Sequence, residues 1–212
     1  MLRYFLAYGL SILLAIDVHE FFHAWMADRM GDPTARYLGR VSLNPLVHLD
    51  PVGTIVMLMS ILSRVGFGWG KPVPVNPRNL RHGPRVGMGL VSFAGPLANL
   101  ITAGVLGLPL RLHVRLPGTL AELLLIAALT NIGLAVFNLI PLPPLDGYGV
   151  LQGILASARG TWGYRLSASL APLEQQGPFI LMFLILIGSR VGLLGLLLGP
   201  PISFLSRLLI GV

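Results

Sequence analysis

Asp17-Val18-His19-Glu20-Phe21-Phe22-His23-Ala24-Trp25 closes an apolar run that begins at the first residue and reads His-Glu-x-x-His. On a helix His19 and His23 lie one turn apart on one face, so both imidazoles can reach a single metal ion while Glu20 stands about 100° around. That is the arrangement of a zinc hydrolase. The setting is unusual, because residues 1–16 are nearly all apolar. Each charged group placed in lipid costs about 2.5–3.5 kcal/mol, so a carboxylate and two imidazoles there mark a functional site.

The rest of the composition agrees with a membrane setting. Of 212 residues, 54% are hydrophobic and 11% charged, and the mean hydropathy is +0.78, too apolar for a soluble domain of this size. We therefore expect an integral, multi-pass membrane protein in contact with lipid. Cysteine is absent, which excludes disulfides, thiolate zinc sites, iron–sulfur clusters and a cysteine nucleophile. Any metal must be held by His, Asp or Glu. The net charge is +7, yet the fifteen Lys and Arg are scattered singly, with no basic run or aromatic platform. They read as membrane-flanking anchors, and no nucleic-acid partner is expected.

Working outward, the first helix is expected over 2–30, stopped by Gly31-Asp32-Pro33. Asp17 lies 120–160° from the histidines on the helical wheel and reads as a supporting carboxylate in need of a partner. A polar loop over 34–51 precedes a short apolar stretch over 52–65. At about 1.5 Å per residue that stretch reaches only about 21 Å, short of a ~30 Å hydrocarbon core. Lys71-Pro72-Val73-Pro74-Val75-Asn76-Pro77 then places three prolines in seven residues, which forbids helix and favours extended backbone. It reads either as a re-entrant β-like hairpin near 67–85, offering an edge to an unwound substrate strand, or as a connecting loop.

Clear spans follow over 86–110, with Gly95-Pro96-Leu97-Ala98-Asn99 at its centre, and over 119–140, with Asn131 and Asn138. Asn99 reads as an interhelical hydrogen bond. The second of these spans breaks in Pro141-Leu142-Pro143-Pro144-Leu145-Asp146-Gly147, leaving Asp146 on irregular backbone beside a glycine that lets the chain turn. This is the natural place for a third metal ligand. A last strong span is expected over 178–198, interrupted by Ser189-Arg190, with a weaker apolar tail over 202–212. Arg190 could snorkel, line a cavity or pair with Asp17. The fold class is thus all-α polytopic membrane protein, with about five to six transmembrane helices in one domain over 1–212.

A catalytic zinc keeps three protein ligands and leaves a fourth position for water. His19, His23 and Asp146 would hold one zinc ion per chain. Glu20, beside a ligand, is placed to take the water's proton and pass it to the leaving amine, and an amide such as that of Asn138 can donate to the developing oxyanion.

His19-Glu20-Phe21-Phe22-His23, Asn44-Pro45-Leu46-Val47-His48-Leu49-Asp50-Pro51-Val52-Gly53-Thr54, Gly70-Lys71-Pro72-Val73-Pro74-Val75-Asn76-Pro77, Gly95-Pro96-Leu97-Ala98-Asn99 and Asn138-Leu139-Ile140-Pro141-Leu142-Pro143-Pro144-Leu145-Asp146-Gly147 together resemble the site-2 protease family of intramembrane zinc metalloproteases. The resemblance implies His19, His23 and Asp146 as zinc ligands, Glu20 as general base, and Asn138 as a residue that orients substrate or stabilises the oxyanion. It also implies transmembrane protein substrates, cut to release a signalling fragment, and a β-like element at the Lys-Pro-Val-Pro stretch. Many members carry an inserted PDZ or cystathionine-synthase-like domain, and this sequence reads as a minimal form without one. A metal transporter would instead require an inverted repeat and a polar path. An aspartyl protease built on Asp17 and Asp146 would require a Gly-x-Gly-Asp context, and the sequence has none.

Overall fold

The computed structural model describes residues 2–62, 70–158 and 161–212. Its helices are α1 (Leu2–Arg29), α2 (Thr34–Tyr37), α3 (Pro45–His48), α4 (Pro51–Leu62), α5 (Pro84–Arg111), α6 (Gly118–Asn138), α7 (Asp146–Ser157), α8 (Thr161–Leu170), α9 (Pro172–Arg190) and α10 (Leu193–Leu209). A 3₁₀ turn spans Pro77–Asn79. No strand occurs among the described residues, which form an all-helical membrane protein.

Three described helices are long and apolar enough to cross a bilayer: Arg3–Arg29, Pro84–Arg111 and Gly118–Asn138. A fourth arises if α8 and the segment Pro172–Gly188, bent by 49°, count as one span. The structure thus supports three to four such spans where five to six were expected, because α4 has 12 residues and α10 has 17. The expected span over 178–198 is also redrawn. Its helix starts earlier, at Pro172, and ends at Arg190. Gly192, with φ of 75°, then turns the chain into α10 through a left-handed conformation that suits glycine. Pro200 and Pro201, which fall between the span expected over 178–198 and the tail expected over 202–212, lie inside α10.

The first helix ends as its sequence dictates. Gly31 has φ of 104°, and Asp32 N–H returns to the Ala27 carbonyl at 2.9 Å, closing the last turn.

The proline-rich stretch forms no hairpin in its described part. Gly70 makes one isolated antiparallel bridge to Leu49, residues 71–76 carry no regular secondary structure, and the 3₁₀ turn follows. The connecting-loop reading holds there, since prolines lack the N–H groups a ladder needs. Residues 67–69 of the expected hairpin lie outside the described residues.

Helix α5 organises the bundle, packing against α1, α6 and α7. Small residues set these distances. A Cβ on Gly89 would come within 2.9 Å of Gly153 Cα, so α5 and α7 meet almost backbone to backbone. Ala103, Ala128, Ile132 and Ile210 close the core between α5, α6 and α10. Ala27, Leu80 and Val91 close a second core under the start of α5.

Candidate metal centre

His19 and His23 project from α1 towards α5, and both are buried. Their ring nitrogens are sorted by the partners they meet. His23 Nδ1 lies 2.8 Å from the Val91 carbonyl oxygen, an atom that only accepts, so Nδ1 carries the proton and Nε2 presents a bare lone pair. His19 Nδ1 lies 2.7 Å from Asn99 Oδ1 and is oriented likewise. Gly95 leaves room for the rings: a Cβ there would stand 2.5 Å from His23 Nε2 and 2.8 Å from His19 Cε1.

Asp146 arrives from the other direction. Backbone bonds such as Leu142 N–H to Ile140 O and Leu145 N–H to Leu142 O turn the chain out of α6 and start α7 at Asp146. Gly147 is needed at this corner, where a Cβ would fall 2.3 Å from the Leu139 carbonyl oxygen. Asp146 Oδ2 then sits 3.0 Å from His19 Nε2 and 3.2 Å from His23 Nε2, and the two Nε2 atoms are 3.0 Å apart.

Three electron-rich atoms therefore converge, and Asp146 Oδ2 is buried with no hydrogen-bond partner among the described residues. Such a group is costly unless a cation joins it. Ligand atoms 2.0–2.1 Å from a tetrahedral zinc stand about 3.3 Å apart, close to the spacings here. The donor set of two imidazoles and a carboxylate also suits zinc. The Asp146 side chain remains 16% exposed, which leaves a way in for water.

Glu20 stands on another face of α1, towards the proline-rich segment: a Cβ on Gly70 would lie 3.6 Å from Glu20 Cγ. Asn138 is not brought to the three ligand atoms by any hydrogen bond, since its side-chain amide donates to the Leu134 carbonyl one turn back, at 3.0 Å. Asp17 meets neither the cluster nor Arg190. Its Oδ1 lies 3.8 Å from His48 Nε2, while Arg190 is exposed at the end of α9. His48 Nε2 donates to Ser42 O at 2.8 Å, and the His48 carbonyl accepts Lys71 N–H at 2.7 Å.

Residues 114–185 match the model of Peptidase family M50. A Bacillus subtilis (strain 168) protein named "Putative zinc metalloprotease YwhC" is 36% identical over 193 residues, covering 86% of this chain and 82% of its own length. The chain belongs to the site-2 protease family, peptidase family M50. Proteins named "Putative zinc metalloprotease Rip2" are also similar. The one from Mycolicibacterium smegmatis is 30% identical over 177 residues, and the one from Mycobacterium tuberculosis (strain H37Rv) is 32% identical over 181. Each alignment covers 82% of this chain, and 64% and 63% of the two Rip2 proteins, so the chain spans just under two thirds of their length. No solved structure matches the chain.

Residues that sequence reading left in the background complete the surroundings of this M50 peptidase. Asn99 is fully buried beside His19, and Asn131 is fully buried beside Asn99. Arg40, also buried, donates from Nη2 to the carbonyls of Lys71 at 2.7 Å and Pro72 at 3.0 Å. Buried polar residues inside apolar helices are a usable signal for the two asparagines. Arg40 sits in a polar loop, where its sequence gives no such signal.

Proposed function

We propose that this zinc metalloendopeptidase hydrolyses peptide bonds within or near transmembrane helices of membrane-anchored proteins, as a step in regulated intramembrane proteolysis. The observation that carries the reading is the meeting of His19 Nε2, His23 Nε2 and Asp146 Oδ2, with both Nδ1 atoms already engaged elsewhere. The three residues hold one zinc ion per chain. When bound, zinc supplies a water acidified towards a pKa of about 7 and a Lewis acid for the scissile carbonyl.

Glu20 is the general base. Its carboxylate takes the water's proton and returns it to the leaving amine nitrogen. Asn138 releases the Leu134 carbonyl and turns its amide to the oxygen that gains charge. Substrate backbone is unwound along the 70–76 segment, which begins beside Glu20. Among the described residues neither Val73 nor Val75 donates its N–H, which supports an open edge. The protein lies in the cell membrane as one domain, with α4 and α10 adding to the long helices to give five to six embedded elements.

The test is Glu20→Gln in the full chain. The amide cannot accept a proton while the ligands stay intact, so one zinc per chain remains bound and cleavage of a membrane-anchored substrate is abolished. A chelator removes both zinc and activity from the unaltered protein. Cleavage by Glu20→Gln at the normal rate sinks the mechanism.

A further inference from the structure

His23 is oriented by a backbone carbonyl that cannot rotate. His19 is oriented by a side-chain amide, which can present either oxygen or nitrogen. Something must decide which end of Asn99 faces His19, and the surroundings supply it. Asn99 Nδ2 donates to the Ala15 carbonyl at 2.9 Å and to Asn131 Oδ1 at 2.8 Å. Asn131 is itself fixed by Nδ2 donating to the Ala127 carbonyl at 2.9 Å. Both carbonyls accept only, so neither amide can flip without setting oxygen against oxygen. Asn99 Oδ1 is left facing His19, where it accepts Nδ1–H. Asn99 and Asn131 are each 0% exposed, so no water can replace a lost partner cheaply.

We propose that Asn131 and Asn99 are positioning residues that form a one-way amide chain from α6 through α5 to α1, holding His19 as the Nδ1–H tautomer. The chain keeps the His19 Nε2 lone pair aimed at the metal. Without it the ring can place its proton on Nε2, where it blocks ligation, or can rotate away. The inference rests on the reading of His19, His23 and Asp146 as the zinc site. It adds that a helix contributing no ligand governs one of them. Groups that orient a metal-bound histidine change metal affinity by 10–100-fold.

The experiment compares zinc affinity, by competition with a chelator, in detergent-purified full-length protein and its Asn99 variants. Asn99→Leu keeps volume and apolarity but offers no acceptor, and it should bind zinc about 10–100-fold more weakly. Asn99→Asp keeps an oxygen facing His19 Nδ1–H and, as the protonated acid, donates its O–H to the Ala15 carbonyl in place of Nδ2, so it should stay within about threefold of the unaltered protein. Asn131→Leu should lose less than Asn99→Leu, because Asn99 still holds the Ala15 carbonyl. A role in packing alone reverses the order, since a buried carboxylate in place of Asn99 harms a bundle more than leucine does. Asn99→Leu binding as tightly as the unaltered protein, or Asn99→Asp binding as weakly as Asn99→Leu, overturns the proposal while leaving the zinc site standing. An unaltered protein that holds no zinc overturns the zinc site and this inference with it. Should Asn99→Leu fail to fold, ¹⁵N NMR of histidine-labelled, metal-free protein decides: a His19 proton on Nδ1 supports the chain, and one on Nε2 refutes it.

Discussion

Two regions of this protein are held by opposite means. The metal cradle lies where three long helices and α7 meet, at glycines that allow near contact and at polar atoms whose directions are all dictated. The segment over 70–81 has almost no regular structure. It is held by side chains and loops that grip its backbone: His48 O takes Lys71 N–H, Arg40 takes the Lys71 and Pro72 carbonyls, and Asp32 takes Asn76 N–H. The cradle holds its three candidate ligand atoms 3.0–3.2 Å from one another, close to the spacing a tetrahedral zinc demands. The segment gripped by Arg40 and Asp32 keeps its place while, among the described residues, the N–H groups of Val73 and Val75 stay unpaired, as the proposed binding of an extended substrate strand would require. Changes in the cradle should therefore abolish zinc binding, whereas changes along the segment should spare zinc and alter how substrate is handled.

The sharpest break in that division is Gly95→Ala. The added methyl would stand 2.5 Å from His23 Nε2, so the ring must leave its position. Zinc affinity and cleavage should both fall, cleavage by about 10³-fold, equivalent to losing about 4 kcal/mol of transition-state stabilisation. Gly118→Ala, at a site with nothing within 4 Å, is the matched control and should change neither. Zinc retained at full affinity in Gly95→Ala would show that the cradle yields more than its packing suggests.

Deleting 73–75 tests the other region. Zinc content should be unchanged. Cleavage of a membrane-anchored substrate should drop by about 10²-fold, against a few-fold for a soluble unfolded one that needs no unwinding. Equal losses on both substrates would mean general damage and would erase the distinction between the regions. Arg40→Gln is a milder version. One amide cannot hold two carbonyls as the guanidinium does, so KM for membrane substrate should rise about three- to tenfold with kcat and zinc affinity nearly constant.

How much of this division was legible in the sequence follows from what each region depends on. His19 and His23 could be paired because helical periodicity alone puts them on one face, and Asp146 could be added because Pro141, Pro143 and Pro144 expose it at the end of a span. The helices of the bundle core were legible within a few residues for the same reason. The partner of Asp17 stayed open in the sequence, since the group facing its carboxylate is His48 at the end of α3, and no periodicity relates the two. The orientation of Asn99 and Asn131 depends on which carbonyls lie opposite them, a property of packing between helices. The hairpin expected near 67–85 was half legible: prolines predicted extended backbone, but whether a partner strand lies alongside is not a local property. The break at Gly192 was legible only as the interruption at Ser189-Arg190, because apolar residues continue on both sides of it.

The smallest effect is expected at Asp32, which belongs to the second region and anchors its far end. The carboxylate is fully buried, and it accepts from the Thr34 hydroxyl at 2.6 Å, Asn79 Nδ2 at 2.9 Å and Asn76 N–H at 2.6 Å. Burial alone would raise its pKa, but these donors and Thr34 N–H outweigh burial and hold it below the ordinary carboxylate value of 3.8. A folded-state pKa depressed in this way gives stability that is present above the unfolded value and lost as pH falls through the folded one. Asp32→Asn keeps the shape but turns an NH₂ group towards a donor, so at neutral pH it should destabilise the protein by about 1–3 kcal/mol, read as a lower Tm in detergent. Zinc affinity should not change. The gap in Tm between the two proteins should narrow as pH is lowered below about 4, because the protonated acid loses the same acceptor that the amide lacks. A gap that stays constant down to pH 3 would mean that the charge of Asp32 is not what ties the segment to the end of α1, and a loss of zinc in Asp32→Asn would mean that the two regions are not separately held.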